Sequence, residues 1–363
     1  MPNGQFPAIG DGRYGNPVEA LSLGSKVLRD AEVKGVLARI GEHQLGKEGA
    51  FHVPGLDTFA AVSDFKRNFL PNIRARTWRP TSCSFPDHGL TALRNGGSPS
   101  DEAYLAVSHG VHGHSHPDLL GVTLFAYGDL LLGDRGVPNY YGPHTSEMRR
   151  SRAHSTLIVD GEDMRKTRPS VTLFETGVGA DLWQCRSDGY ESLGVTHTRT
   201  IAFLKSERPI FVIVDEVKRL TSDVRQLDVY YHSMQPEVLV ESPQRVIVGS
   251  GPVLTIASPG NNGTLWQGKE WSISLQSNMT AAQLPFLAYR KKSATDERFC
   301  SVLAPDATSP RNINVTWEDD PSSALEIEIS EDGTLNTVIV GKRTGVVSVS
   351  ICERASASRC PGE

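Results

Sequence analysis

Between Pro17 and about Leu45 the apolar positions Val18, Leu21, Leu23, Val27, Leu28, Val33, Val36, Leu37 and Ile40 recur at steps of roughly three and four, which predicts helix. Pro17 suits a helix start and Gly41 a helix end, so residues 18–29 and 31–40 read as two helices or one interrupted one. Asp57 to Leu70 adds a turn or two of helix, stopped by Pro71. After Trp78 the period changes. Phe85–Arg94 reads as a turn and a strand, Tyr104–Ser108 as a strand, and Val122–Tyr127, Gly128-Asp129 and Leu130–Leu132 as a hairpin. Further strand-like runs follow: Ser155–Val159, Val171–Glu175, Asp181–Cys185, Val195–Leu204, Ile210–Val217 and Gln226–His232. Arg245–Val248, Val253–Ala257, Ala324–Ile329, Thr337–Val340 and Gly345–Ile351 continue the series, with little helical pattern between them. The expected fold is therefore mainly β: a large antiparallel β-sandwich over residues 76–363, preceded by a short α-helical segment over residues 1–75.

Composition supports strands joined by turns, with 34 Gly and 22 Pro in 363 residues. A hydrophobic share of 38% with 22% charged residues excludes a disordered chain. A net charge of −5 excludes a strongly basic nucleic-acid binder. The longest apolar run, Leu119–Gly128, ends at Asp129 and is too short to cross a bilayer. Neither nucleic acid nor a membrane span is expected. Met1-Pro-Asn-Gly-Gln lacks the charged and apolar regions of a signal peptide. The five cysteines form no CxxC pair; a Cys352–Cys360 disulfide is open, and at least one thiol stays unpaired within the chain.

The candidate chemistry is concentrated in one stretch. Five of the 11 histidines, His109, His112, His114, His116 and His154, lie within 46 residues. In an extended segment His112, His114 and His116 share one face, and neutral imidazole is a common metal ligand. A His-rich loop with no ligand is the plain alternative. Asp134 follows His116 at the end of an apolar hairpin, and His154 precedes another strand. Two histidines and a carboxylate suit zinc with a fourth position open. Separately, Asp134 also reads as a turn aspartate and His154 as a buried core histidine.

His114-Ser-His116-Pro-Asp118, Leu130-Leu-Leu-Gly-Asp134-Arg-Gly136, Asn139-Tyr-Tyr141 and Arg152-Ala-His154-Ser-Thr-Leu-Ile-Val-Asp-Gly161 occur in that order. Together they resemble the heparinase II/III-like polysaccharide lyases, whose pattern runs HGHxD, LLVDPG, a Tyr, then RSxxAHNTLxVDG. Tyr190–Arg199, Phe211–Asp215 and Tyr230-Tyr-His232 fit as well, and Asn3–Asp11 resembles the tail of the family's helical domain. Arg135 stands where the family usually has Pro, and Ser155 replaces the usual Asn.

The resemblance implies a helical toroid followed by a β-sandwich, with the cleft between them. It implies a mainly structural zinc held by His116, Asp134 and His154, with His114 facing the substrate. It further implies that the family's catalytic Tyr comes from the toroid, of which only the tail is expected here, so the chain reads as N-terminally truncated. Within the chain, Tyr141 is the acid candidate, since it lies just beyond the Asp134 turn. Arg135, Tyr140, Arg149 and Arg152 are the substrate-binding candidates for an acidic polysaccharide. Residues 135–168 hold seven Lys/Arg against four acids, which is also compatible with ordinary solvated surface. The expected reaction is β-elimination on a uronate-containing glycan. The alternative is a non-catalytic zinc-bearing sandwich or glycan-binding module; a metal-dependent hydrolase is weaker. By resemblance the protein works in the periplasm or cell envelope, and a homodimer is left open.

Overall fold

The computed structural model describes residues 81–97, 100–110, 117–136, 143–274, 280–318, 325–340 and 354–355. The helices expected over 18–29, 31–40 and 57–70, the strand over Gly345–Ile351 and the Cys352–Cys360 pair lie outside these residues. The first strands are β1 (Cys83–Phe85), β2 (Leu90–Arg94), β3 (Ala103–Ser108), β4 (Gly121–Ala126), β5 (Asp129–Leu132) and β6 (Leu157–Val159). A one-turn helix, α1 (Thr145–Met148), precedes β6. Next come β7 (Ser170–Thr176), β8 (Ala180–Ser187), β9 (Val195–Leu204), β10 (Ile210–Arg219) and β11 (Arg225–His232). They are followed by β12 (Val238–Ser242), β13 (Arg245–Val248), β14 (Val253–Ala257), β15 (Thr264–Ser274) and β16 (Thr280–Ser293). The last are β17 (Glu297–Asp306), β18 (Ile313–Glu318), β19 (Leu325–Glu331), β20 (Thr334–Val340) and β21 (Arg354–Ala355).

These strands form antiparallel sheets: the meander β1 to β5, the eight-stranded β12-β13-β14-β17-β10-β9-β8-β7, the four-stranded β15-β16-β11-β6, and β18 to β21. The meander and the β11-containing sheet are joined edge to edge. Leu132 bridges Ser233, Gly133 N donates to His232 O at 3.1 Å, and Val122 N donates to Ser155 O at 3.2 Å. They act as one layer against the eight-stranded sheet.

The alternation of side chains shows why a third layer is present. On β10, Phe211 and Ile213 belong to the core shared with Leu105, Leu124 and Tyr231, whereas Val212 and Val214 belong to a second core with Ile313, Val315, Ile327 and Ile329. Both faces of β9 and β10 are therefore covered, and both strands read as near-continuous apolar runs. The outer strand β19 has one wet face and alternates instead, with Leu325, Ile327 and Ile329 inward and Glu326 and Glu328 outward. The sandwich is thus three sheets deep. Each fully buried Leu or Phe in these cores contributes roughly 1.5–3 kcal/mol relative to exposure.

Inside the first core lies a buried polar group. Arg199 Nε and Nη2 donate to Asp215 Oδ1 and Oδ2 at 2.7 and 3.0 Å, and His197 Nε2 donates to Asp215 Oδ1 at 2.6 Å. Burial would raise the Asp215 pKa, but Arg199 and His197 more than offset this and hold it at about 2. A carboxylate whose pKa falls on folding contributes stability that is present above its unfolded pKa and lost as pH drops through the folded value. Stability is therefore expected to fall by about 2 kcal/mol between pH ~4 and pH ~2, by the size of that shift. Urea titrations across this window check it: Asp215→Asn should flatten the slope, and an unchanged slope in that variant would count against the assignment.

Candidate metal centre and the polar rim beside it

Three segments of the joined outer layer converge on one point. Asp134 lies at the exit of β5, two residues beyond Leu132. Its Oδ1 accepts the Gly136 amide at 2.9 Å, the local bond by which a short Asp side chain shapes a turn. His154 closes a 3-10 turn, Ser151–Ala153, ahead of β6. Asp118 stands before β4, where the Gly121 amide donates to its carbonyl at 2.9 Å. A Cβ on Gly121 would sit 2.9 Å from Asp118 O and 3.7 Å from His154 Cβ, so glycine is what allows the two strands' entries to close up. Ser151 Oγ ties the turn to the loop by donating to Pro117 O at 2.9 Å.

The side chains of Asp118, Asp134 and His154 are all buried, and one ligand atom from each lies within 4.8 Å of the others. His154 Nδ1 donates to Asp134 Oδ2 at 2.7 Å, and Ser108 Oγ donates to Asp118 Oδ2 at 3.0 Å. Burial works against a charged His154, but the Asp134 carboxylate outweighs it and the imidazole pKa lies above its ordinary value. A cavity of about 10 Å³, lined by Ser108, Asp118, Asp134 and His154 among others, is the size of a single water or ion. Two hard carboxylates and an imidazole around a small cavity fit a divalent cation such as zinc.

Of the residues singled out from sequence, Asp134 and His154 are brought together here, whereas His114, His116, Tyr140 and Tyr141 lie outside the described residues. Asp118 joins the cluster without having been assigned as a ligand. Its signal was its place two residues after His116, where it fixes the motif's register.

Arg135 does not lie on a glycan-facing surface. It is 1% exposed. Its Nη1 donates to Trp271 O at 3.0 Å, its Nη2 donates to His232 Nδ1 at 2.6 Å, and Nη2 is 3.3 Å from the Glu270 carboxylate. Burial lowers its pKa to about 10, against the pull of Glu270. Its expected role as a substrate contact therefore gives way to a framing role, because the guanidinium is committed to the protein. His232 is fixed in the neutral form by the same contacts. Its Nε2 donates to Arg152 O at 2.9 Å while Nδ1 accepts from Arg135, and burial with the adjacent Arg135 charge keeps its pKa well below normal.

Arg152 remains 43% exposed and is ion-paired with Glu270 on β15. Arg149 is half-buried at the end of α1. Beside them His144 stacks on Trp271 with ring centroids 3.8 Å apart. Arg150 is drawn away to Asp163 at 3.3 Å, so part of the local positive charge is internally matched. Glu270, Trp271 and His232 were not singled out as partners of this rim. Among the described residues, no helix is long and apolar enough to cross a membrane, and Cys83, Cys185 and Cys300 are free thiols.

Comparison with known proteins agrees with this architecture. A heparin-sulfate lyase of Pedobacter heparinus is 25% identical over 202 residues, covering 53% of this chain and 30% of that protein. The crystal structure of a heparan sulfate lyase from Pedobacter heparinus superimposes with a TM-score of 0.73 at 18% identity, covering 94% of this chain and 50% of that one. A heparinase III structure gives 0.70 at 17%, covering 92% and 50%. These likenesses establish the fold, and the chain spans about half the length of the solved lyases it matches. The family model described as heparinase II/III-like, C-terminal, matches residues 78–317. With both sheet architecture and family model in agreement over most of its length, the chain belongs to the heparinase II/III-like polysaccharide lyase family.

Proposed function

We propose that the chain supplies the β-sheet side of a lyase that cleaves a uronate-containing acidic glycan by β-elimination, with heparan sulfate as the first candidate. The observation that carries this reading is the buried Asp118–Asp134–His154 cluster. In the sequence Asp118 follows His114 and His116 by four and two residues, and Asp134 and His154 flank Tyr141. Support also comes from the names of the relatives, a heparin-sulfate lyase and a heparan sulfate lyase.

In this reading the base removes the C5 proton of the uronate, a C4–C5 double bond forms, and the C4–O bond to the leaving sugar breaks. The leaving oxygen then takes a proton from an acid. His114 serves as the base or as the group that neutralises the carboxylate, and Tyr141 as the acid. Arg152, steadied by Glu270 yet partly exposed, and Arg149 meet the negative charge of the polymer. Zinc held by Asp134 and His154, with His116 and with Asp118 beside them, would supply structural cross-linking of the loops. Arg135 and His232, both buried and mutually bonded, hold the floor of the rim in one geometry.

The test is absorbance at the unsaturated-uronate band with heparan sulfate, alginate, hyaluronan and a bacterial exopolysaccharide. With the helical side of the lyase present, one strongly turned-over uronate polymer is expected, and Arg152→Ala should raise KM more than it lowers kcat; residues 1–363 alone should form little or no unsaturated product. Binding of these polymers with no unsaturated product even when the helical side is present would replace the lyase reading with that of a glycan-binding module.

A further inference from the structure

The Arg199–Asp215–His197 group is more elaborate than the core requires. Arg199 is wholly buried on β9 and faces the same core as Ile201 and Phe203. A buried charge costs free energy unless every donor is satisfied, and apolar replacements of such groups are often at least as stable. Its fork binds Asp215, but its remaining terminal nitrogen leaves the sheet. Nη1 donates to Leu120 O at 2.6 Å and to Ser155 O at 2.9 Å. These two carbonyls belong to the two loops of the cluster, since Leu120 lies two residues after Asp118 and Ser155 follows His154.

A second observation points to the same place. Leu120 has φ +62°, a backbone conformation that L side chains rarely adopt. Such a residue persists where its surroundings over-determine it. Leu120 is held from both ends: its N–H donates to Ser108 O at 2.6 Å, and its carbonyl takes the Arg199 bond. Ser155 is bound from several sides too. Its carbonyl also accepts Val122 N at 3.2 Å and its Oγ accepts His232 N at 3.0 Å.

We infer that Arg199, braced by Asp215 and His197, is a positioning residue that clamps the Leu120 and Ser155 turns together and thereby sets Asp118 and His154 facing each other. This rests on reading Asp118, Asp134 and His154 as the ion-holding cluster. The guanidinium acts through the loops and touches neither ion nor substrate. Lysine has one nitrogen and cannot bind Asp215 and both carbonyls with the same geometry.

The experiment compares Arg199→Met, Arg199→Lys and Ile327→Ala, the last a cavity in the other core that lowers global stability without touching these loops. Two quantities are read: zinc affinity by chelator competition, and amide exchange at Leu120, Gly121, Val122 and Thr156 relative to β18–β20. Arg199→Met is expected to weaken zinc by about 10–100-fold, the usual effect of removing an outer support of a metal ligand. It should release those four amides first, with Arg199→Lys intermediate and Ile327→Ala leaving both readouts near wild type. Wild-type exchange at these amides in Arg199→Lys and Arg199→Met would overturn the clamp. If Arg199→Met fails to fold, Arg199→Lys decides. If the wild-type protein takes up no zinc, the metal reading falls, and the exchange arm alone still confirms or refutes the clamp.

Discussion

Asp134→Ala is expected to lower stability by about 3–5 kcal/mol, the cost of deleting one partner of a buried, hydrogen-bonded charge pair. The effect is large because three things go together. His154 loses the acceptor 2.7 Å from its Nδ1, the Gly136 amide loses its acceptor at 2.9 Å, and the small cavity widens into space that apolar neighbours cannot fill. Asp134→Asn should cost less, since an amide oxygen can still accept the Gly136 amide and the shape is kept. A double-mutant cycle with His154→Ala separates the pair's own coupling from the turn's. If Asp134→Ala and His154→Ala simply add, the two side chains are independent and the cluster is not a unit. Denaturant midpoints at constant slope measure it, with the control that a rim change such as Arg150→Ala stays within about 0.5 kcal/mol.

How much of this could be read from the chain depends on how local the deciding interaction is. The β4–β5 hairpin was legible, because apolar runs flank a two-residue turn whose Tyr127 and Gly128 both take positive φ, and Gly does so without strain. The limits of β9, β13 and β14 coincide with the runs read from sequence. β12, β15, β16, β17 and β18 were not expected. β15 and β16 present Gln267, Lys269, Lys291 and Lys292 among their apolar positions, and β16 carries Pro285 beside its last pair with β11. Their stability comes from eleven mutual cross-strand pairs and from tertiary burial, which no short window contains. The third sheet was hidden for the same reason: the clean alternation of β19 shows that one face is buried, but not against what.

The site divides along the same line. Asp134 and His154 could be singled out because residues near each of them form a local motif. Arg135 could not be placed, since its partners Glu270, Trp271 and His232 are about a hundred residues or more away in the chain. A positive charge next to a motif looks like a substrate contact until the buried carboxylate that consumes it is seen. Arg199 and Asp215 were concealed in the strongest apolar runs, where a charged residue facing a core is itself the signal that something across the core requires it.

Zinc and protons should act on this cluster with opposite dependence on pH. The His154 pKa is raised in the folded protein: burial opposes its charge, but Asp134 outweighs burial. A raised histidine contributes stability that is fully present below its unfolded pKa of about 6.5 and is lost as pH rises through the folded value. Chelator-treated protein is therefore expected to lose stability on going upward from about pH 6.5. A divalent ion held by this cluster would need the neutral imidazole, so zinc uptake is expected to strengthen over the same interval. Zinc at a thousandfold excess over its dissociation constant should add about 4 kcal/mol, and the gap between the zinc-loaded and chelated curves should widen with pH. Thermal melts at pH 6, 7, 8 and 9, roughly bracketing the histidine range, read both trends in one series. Curves that superimpose with and without zinc would remove the ion from the cluster and leave Asp134–His154 as a hydrogen-bonded staple. A chelated protein whose stability does not fall with pH would show instead that Asp134 fails to hold the proton on His154. Asp134→Asn supplies the check on the second arm: with the carboxylate neutralised, the histidine loses its raised pKa and the alkaline loss should vanish.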